Sequence, residues 1–149
     1  MALDTVLLAI GPNDDERGDA LARTVSDIAG PAGARVVLLH VFTDEEYENA
    51  VSRLDFQDPD DDEPDAVARR ITSVRSIRET LQDASIEVSV RGRVGEHGDS
   101  IVALAESEDA DLVVVGGRRR SPAGKAVFGS TAQQVLLEAP CPVTFVRGD

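Results

Sequence analysis

The segment Asp111–Val146, DLVVVGGRRRSPAGKAVFGSTAQQVLLEAPCPVTFV, contains the pattern of a strand, a helix and a second strand. The runs Leu112–Val115 and Val143–Val146 are short, apolar and rich in β-branched residues, as in strands buried on both faces. Between these runs, apolar residues recur with the period of a helix, at Ala132, Val135, Leu136 and Ala139. This order predicts a right-handed crossover between two parallel strands.

The same alternation extends over the rest of the chain. Apolar runs occur at Val6–Ile10 and Val36–Val41, while Ile86–Val90 alternates apolar and polar residues, as a strand near a sheet edge does. Three more segments have the helical period, with apolar residues at Leu21, Val25 and Ile28, at Val67, Ile71, Val74, Ile77 and Leu81, and at Ile101, Leu104 and Ala105. The pattern predicts a Rossmann-like α/β fold, a doubly wound parallel sheet of five strands with helices on both faces.

Length and cysteine content predict one cytoplasmic domain. The 149 residues, 42% of them hydrophobic, suffice for one core, so residues 1–149 are assigned to a single domain. Cys141 is the one cysteine, which excludes an internal disulfide; it is interpreted as a small buried hydrophobic residue. The absence of an apolar run of about 18 residues or of a leader pattern argues against membrane insertion and secretion.

The charge balance is strongly acidic. The chain has 28 acidic and 15 basic residues, a formal net charge of -13. Such a field repels nucleic acid and anionic lipid, so neither is expected as a partner. Lys125 is the one lysine. This acidic, lysine-poor composition is similar to that of proteins from salt-loving organisms and suggests a halophilic habitat, where molar salt screens self-repulsion.

The segment from residue 44 to residue 65, DEEYENAVSRLDFQDPDDDEPD, interrupts the alternation. Its acidic, proline-containing composition predicts a crossover that is in part mobile and solvated. Three of its carboxylates, Asp58, Asp60 and Asp62, are spaced like the start of a calcium loop. However, Glu63 and Arg69 stand where such a loop requires glycine and glutamate. No metal site is therefore expected.

The glycine-rich loop that begins at Gly116 is the strongest candidate for a ligand site. It follows the carboxyl end of the fourth predicted strand, where doubly wound sheets bind their ligands. The loop leads into a helix near Gly129, Ser130 and Thr131. Unpaired amide groups and the positive end of the helix dipole attract anions at such a start. The pattern therefore indicates a phosphate site.

Two structural alternatives remain open for this loop. Ser130 and Gln133 match the S/T-x-x-E/Q capping box, which would account for both residues without a ligand. Turn formation would account for the glycines, at positions Gly116, Gly117, Gly124 and Gly129. A Walker loop is excluded because residue 119 is not glycine and residue 126 is not serine or threonine. Three adjacent carboxylates after the first strand argue against a pyrophosphate there.

Four segments together resemble the universal stress protein family over essentially the full length. They are LDTVLLAIG at Leu3–Gly11, LLHV at Leu38–Val41, RVGEHGDSIVALAESEDADLVVVGGRRR at Arg93–Arg120, and GSTAQQVLLEAPCPVTFVR at Gly129–Arg147. The last segment is the most specific, because it combines the G-S/T helix start with the A-P-C-P-V entry into a strand.

The resemblance implies a site for ATP or AMP, with or without Mg²⁺. Nucleotide-binding members have the pattern G-x2-G-x9-G-[ST], whose first glycine and final pair are Gly116 and Gly129-Ser130 here. Arg119 replaces the second glycine. Its side chain either fills the phosphate space or neutralises the phosphate. Basic neighbours raise the local positive potential in both cases, at Arg118, Arg120 and Lys125.

The base end of the implied site also departs from the family pattern. Nucleotide-binding members usually have an aspartate for adenine where this chain has Gly11. Ile10 and Val41 match apolar positions that line the adenine pocket in the family, and the resemblance implies that the backbone at Val41 reads the base. A missing side-chain hydrogen bond costs on the order of 1 kcal/mol, so weaker binding is expected rather than none.

Three functional hypotheses follow. The first is a nucleotide-binding stress-response or regulatory module, the second a nucleotide-independent interaction protein, and the third a slow ATPase. His40 and His97 lack the partners of a hydrolytic triad, so the chain is expected not to be an enzyme beyond incidental ATP hydrolysis. The apolar last strand, with Val143 and Phe145, predicts a homodimer through its edge, as in the family. The sequence does not identify any further protein partner.

Overall fold

The fold is a five-stranded sheet covered by helices on both faces. A computed structural model of the chain describes residues 3–11, 17–54, 63–118 and 129–148. The strands are β1 (Thr5–Ile10), β2 (Arg35–Phe42), β3 (Val88–Val94), β4 (Leu112–Arg118) and β5 (Val143–Gly148). They lie in the order β3-β2-β1-β4-β5 with every neighbouring pair parallel. The predicted doubly wound α/β class is confirmed.

Two helical layers enclose two separate cores. The helices are α1 (Gly18–Ala32), α2 (Asp44–Leu54), α3 (Pro64–Arg69), α4 (Thr72–Asp83), α5 (His97–Ser107) and α6 (Ser130–Glu138). Buried residues of α1 to α4 pack on one face of the sheet, and those of α5 and α6 pack on the other. Alternate residues of β1 serve the two cores: Leu8 belongs to the first and Leu7 to the second. This separation follows from the two-residue period of a strand.

The third strand differs from its prediction in position. Its apolar run was expected at residues 86–90, but β3 begins at Val88 and continues to Val94, because its backbone pairs with β2 as far as Phe42. The predicted edge position is correct, since β3 has β2 as its one neighbour in the sheet. Several residues of β3 are partly exposed, as expected for a strand at the edge of the sheet.

The segment from Val67 to Leu81, whose apolar residues have the helical period, forms two helices rather than one. Ile71 is extended, with φ -70° and ψ 131°, and separates α3 from α4. The break moves the chain from the edge of β3, where α3 packs, to the face beside α1, where α4 packs. Without a glycine or proline between residues 67 and 81, periodicity alone does not locate the break.

The first half of the acidic segment is helical. The sequence pattern did not predict α2, which occupies Asp44–Leu54 of the proposed crossover at residues 44–65. A capping box immediately before it explains its start: Thr43 N–H donates to Glu46 Oε1 at 2.7 Å, and Glu46 N–H donates to Thr43 Oγ1 at 3.2 Å. The calcium-like carboxylates at residues 58, 60 and 62 lie outside the described residues.

The outer edge of β3 is covered by the start of α3. Gly92 N–H donates to Asp65 Oδ1 at 2.8 Å, and Arg93 Nη1 donates to the same oxygen at 3.1 Å. A side chain at Gly92 would overlap the carbonyl of Pro64, so glycine permits this close approach. The contact protects one edge of the sheet from pairing with another chain.

Candidate functional site

The candidate site lies where the strand order reverses, between β1 and β4. These two strands pair at the centre of the sheet, and the chain leaves them on opposite sides, towards α1 and towards α6. Ile10 ends β1 and Gly11 follows it, while Gly116 lies near the end of β4. The carboxyl ends of parallel strands share one edge, so these residues lie at the edge where doubly wound sheets hold ligands.

The helix that follows β4 starts without a side-chain cap from the described part of the chain. Gly129 is the N-cap residue, with φ -63° and ψ 158°, and Ser130 is the first residue of α6. The alternative interpretation of Ser130 and Gln133 as a capping box is therefore wrong. The helix begins one residue too early for Ser130 to cap it, and Gln133 N–H donates instead to the Gly129 carbonyl at 3.0 Å. Ser130 is exposed and Thr131 is half-buried.

Two of the loop glycines belong to a strand. Gly116 and Gly117 lie in β4 and pair with Val146 and Arg147 of β5, so turn formation does not explain them. At Gly117 an added Cβ would meet the Phe145 ring at 2.6 Å, so this glycine makes room for the ring. The strand ends at Arg118. The residues at 119–128 lie outside the described residues, among them Arg119, Arg120, Gly124 and Lys125.

The two apolar residues assigned to the adenine pocket lie on opposite faces of the sheet. Ile10 is buried in the core beneath α1 to α4, and Val41 is buried in the core beneath α5 and α6. Both are close to the carboxyl edge, since Ile10 pairs with His40 in the sheet register. A pocket that includes both residues therefore uses the backbone of at least one of them.

A Thr43–Glu46–His97 cluster at the same edge was not predicted. His97, the first residue of α5, places Nε2 3.2 Å from Glu46 Oε1, the oxygen that also accepts the Thr43 N–H. Burial alone would raise the pKa of Glu46, but the hydrogen bonds from Thr43 and His97 outweigh it and hold that pKa below its ordinary value. The T-x-x-E pattern of Thr43 and Glu46, directly after β2, is the sequence signal from which this capping box could have been predicted.

A second contact joins the starts of α5 and α6. Gln134 Nε2 donates to Asp99 Oδ1 at 2.6 Å. The Gln134 side chain lies against Gly98, and its Cγ is 3.2 Å from the place that a Cβ of Gly98 would occupy. The two helix starts are thus held side by side at the carboxyl edge of the sheet.

The described ranges contain no group of three or more His, Cys, Asp or Glu side chains suited to a metal ion. Over the same ranges, none of the helices is long and apolar enough to cross a membrane.

Comparison with known proteins identifies the family. The model of the universal stress protein family matches residues 2–147. The chain belongs to the universal stress protein family. A universal stress protein of Thermus aquaticus is 30% identical over 96% of this chain and 98% of the relative. One of Mycolicibacterium smegmatis is 38% identical over 84 residues, which are 56% of this chain and 65% of the relative.

Solved universal stress proteins have the same fold. One in complex with cAMP superimposes with a TM-score of 0.69 at 21% identity, covering 100% of both chains. Another, from Archaeoglobus fulgidus in complex with dAMP, has a TM-score of 0.65 at 21% identity, covering 99% of this chain and 100% of that one. An Arabidopsis thaliana family member with AMP bound has a TM-score of 0.65 at 14% identity, covering 98% and 92%.

Proposed function

We propose that this universal stress protein binds an adenine nucleotide, ATP or AMP, and acts as a stress-response or regulatory module. The observation that carries the proposal is the start of α6 at the switch point, beside the ends of β1 and β4. Family members of the same fold hold cAMP, dAMP and AMP. The nucleotide would lie across the carboxyl edge, with its phosphate at α6 and its base towards β2.

The phosphate end of the proposed site uses backbone groups. Gly129, Ser130 and Thr131 supply amide groups at the positive end of the α6 dipole. No described atom lies within 4 Å of the place that a Cβ of Gly129 would occupy, so no described residue blocks a phosphate from reaching this backbone. The Ser130 hydroxyl does not cap the helix and can donate to a phosphate oxygen. Arg118 and Arg119 supply positive charge from the adjoining segment.

The base end of the proposed site uses Ile10, Gly11 and the backbone of Val41. Gly11 offers no carboxylate to the exocyclic amine of adenine, whereas the backbone N–H and carbonyl near Val41 can pair with the base edge. The lost side-chain hydrogen bond lowers affinity by on the order of 1 kcal/mol, about fivefold. We therefore expect the nucleotide to bind reversibly, with lower affinity than in a family member that has the aspartate, rather than to stay permanently bound.

Heat denaturation with and without nucleotide tests this proposal. A ligand present at 100 times its dissociation constant stabilises the native state by about 2.7 kcal/mol. We expect millimolar AMP, and ATP with or without Mg²⁺, to raise the midpoint, and an equal concentration of inorganic phosphate to do so less. An unchanged midpoint in all of these would contradict nucleotide binding and favour the nucleotide-independent interaction protein.

We propose further that nucleotide binding is not coupled to rapid hydrolysis. Both histidines are engaged elsewhere: His40 packs edge-on against Phe42 with ring centroids 4.5 Å apart, and His97 contacts Glu46. Phosphate release from ATP and Mg²⁺ should therefore stay near the uncatalysed level over hours. Steady turnover that is abolished by a His97→Gln substitution would overturn this part of the proposal.

A homodimer through β5 forms the second part of the proposal. Among the described strands β5 has one neighbour, β4, whereas the opposite edge of the sheet is covered by α3. Val143 and Phe145 are half-buried on the face of β5 that α6 covers. A second copy of β5, paired antiparallel about a twofold axis perpendicular to the sheet, would extend the sheet and cover these side chains.

Such an axis keeps both copies of α6 on the same face of the extended sheet. Gln134 marks the flank of α6 that faces α5, and Leu136 is rotated from it by about 200°, to the flank on the side of β5 away from β4. Leu136 is 39% exposed although it is large and apolar. The two Leu136 side chains would approach each other across the twofold axis.

Light scattering at micromolar concentration measures this association. We expect a dimer for the unaltered chain and a monomer for Leu136→Glu, which would bury two like charges at the axis. Leu137→Glu is the matched control, because Leu137 is 78% exposed and lies on the outward side of α6. A monomeric unaltered protein, or equal behaviour of the two variants, would contradict this interface.

A further inference from the structure

The contact between Gln134 and Asp99 joins the start of α5 to the helix start at which the phosphate is expected. Gln134 lies four residues after Ser130, and residues at this spacing share one face of a helix. The face of α6 that carries Ser130 is therefore the face that Gln134 fixes against α5. We call Gly98, Asp99 and Gln134 the α5–α6 clamp.

Within the clamp, one hydrogen bond and one close approach define a single arrangement. Gln134 Nε2 donates to Asp99 Oδ1 at 2.6 Å, a short and charge-assisted hydrogen bond. Gly98 admits the Gln134 amide into space that any side chain at residue 98 would occupy. The Gln134 amide would have to shift from this position if a methyl group were added at Gly98.

The clamp is anchored to the edge at which the base is expected. His97 precedes Gly98 and contacts Glu46, which also accepts the Thr43 N–H, and Thr43 lies two residues after Val41. Gly95 N–H donates to the Phe42 carbonyl at 2.8 Å and ties the chain before α5 to the end of β2. The start of α5 is thus fixed to β2, and the clamp fixes α6 to the start of α5.

We propose that Gln134 and Asp99 are positioning residues for the nucleotide, with Gly98 as the position that admits them. They set where the start of α6, with Ser130, lies relative to the backbone of Val41, and so the span between the phosphate and base ends of the site. This inference rests on the proposed function. Neither side chain touches the ligand; their effect is carried by the geometry of α6.

Calorimetric titration with AMP tests the clamp, using Gln133→Ala as the matched control. Gln133 and Gln134 are adjacent glutamines on the same helix, but Gln133 is exposed and outside the clamp. We expect Gln134→Ala to weaken AMP binding by up to about tenfold, the size of effect that residues without ligand contact have on binding, and Gln133→Ala to leave it unchanged. Equal affinities of the two variants would overturn the inference.

Two further variants separate positioning from general stability. Asp99→Asn keeps an oxygen that accepts from Gln134 but loses the charge, so it should weaken AMP binding less than Asp99→Ala, which should lose about as much as Gln134→Ala. Gly98→Ala should weaken AMP binding alone but add nothing in a Gln134→Ala background. Additive losses, or a change in melting temperature without a change in affinity, would contradict positioning.

The outcomes also distinguish this inference from the function on which it rests. If the unaltered protein binds no AMP, the proposed function fails and the clamp fails with it. If the unaltered protein and Gln134→Ala bind AMP equally, the proposed function stands and the clamp alone is wrong.

Discussion

Glu46 shows how one side chain connects two helix starts at the carboxyl edge. Its carboxylate accepts from Thr43 N–H at the start of α2 and contacts His97 at the start of α5. Both contacts favour the ionised form, which is why the pKa of Glu46 is lowered even though burial acts in the opposite direction. A carboxylate with a lowered pKa contributes stability that depends on pH.

We expect the stabilisation from Glu46 to be complete above the ordinary glutamate pKa of 4.5 and to fall as pH decreases through the lowered pKa of the folded state. Urea unfolding of the unaltered protein and of Glu46→Gln, measured between about pH 6 and about pH 3, compares the two slopes. The slope should be shallower in the variant. Parallel slopes would show that Glu46 titrates alike in the folded and unfolded states.

At the scale of elements, the covered edge of β3 depends on a single glycine. A Cβ at Gly92 would overlap the backbone carbonyl of Pro64, and backbone cannot move aside as the end of a side chain can. The start of α3 would have to leave the edge, with loss of the hydrogen bond from Gly92 N–H to Asp65. The strand and the helix are therefore stabilised together.

Gly92→Ala should destabilise the protein by about 1–3 kcal/mol, as overpacking does. Gly18→Ala is the control, since the nearest described atoms to the added methyl group, on the Ile77 side chain, lie 3.8 and 3.9 Å away and alanine favours a helix. Chemical denaturation measures both. The prediction fails if the two variants have equal unfolding free energies, or if Gly92→Ala is as stable as the unaltered chain.

The elements also show which features the sequence predicted and which it did not. Buried strands such as β1 and β4 were predicted because runs of β-branched residues occur in few other settings. The boundary between α3 and α4 depends on where the chain leaves the edge of β3, a tertiary contact with no local pattern. The clamp was missed for the same reason, because Gly98 and Gln134 meet only in the fold.

The site residues were predicted unequally. The position of Gly129 and Ser130 at a helix start follows from local pattern and from the order of strands. That Gly116 and Gly117 extend β4 was not predicted, because pairing with β5 decides it. Assignment of Ile10 and Val41 to one pocket did not consider the face of the sheet on which each side chain lies. Face alternation becomes informative only when the register between strands is known.

For the whole molecule, the net charge of -13 is the dominant electrostatic feature. Favourable pairs such as Glu108, which contacts Arg35 at 3.1 Å and Arg91 at 3.4 Å, are partly exposed and contribute little. Repulsion among the excess carboxylates acts over longer distances, and salt shortens its range from about 10 Å at 0.1 M to about 3 Å at 1 M. Added salt should therefore stabilise the folded protein, because it weakens the repulsion among carboxylates more than it weakens the attraction within ion pairs.

We expect the melting midpoint to rise steadily with KCl up to molar concentration and to rise equally with NaCl, because screening does not depend on the cation. Recovery of a low-salt unfolded sample on addition of KCl would support the halophilic habitat suggested by composition. A midpoint that is independent of salt would remove that hypothesis.

The central claim is that the start of α6 holds the phosphate of an adenine nucleotide, and titration calorimetry of AMP into the unaltered protein and Gly129→Val tests it most directly. Gly129 has extended backbone angles and open space on its described side, so valine should fold there while blocking approach to the amides. Ala103→Val, at an exposed position in the middle of α5, is the control. The account predicts binding to the unaltered protein and to Ala103→Val and none to Gly129→Val; equal binding by all three, or none by the unaltered protein, would contradict it.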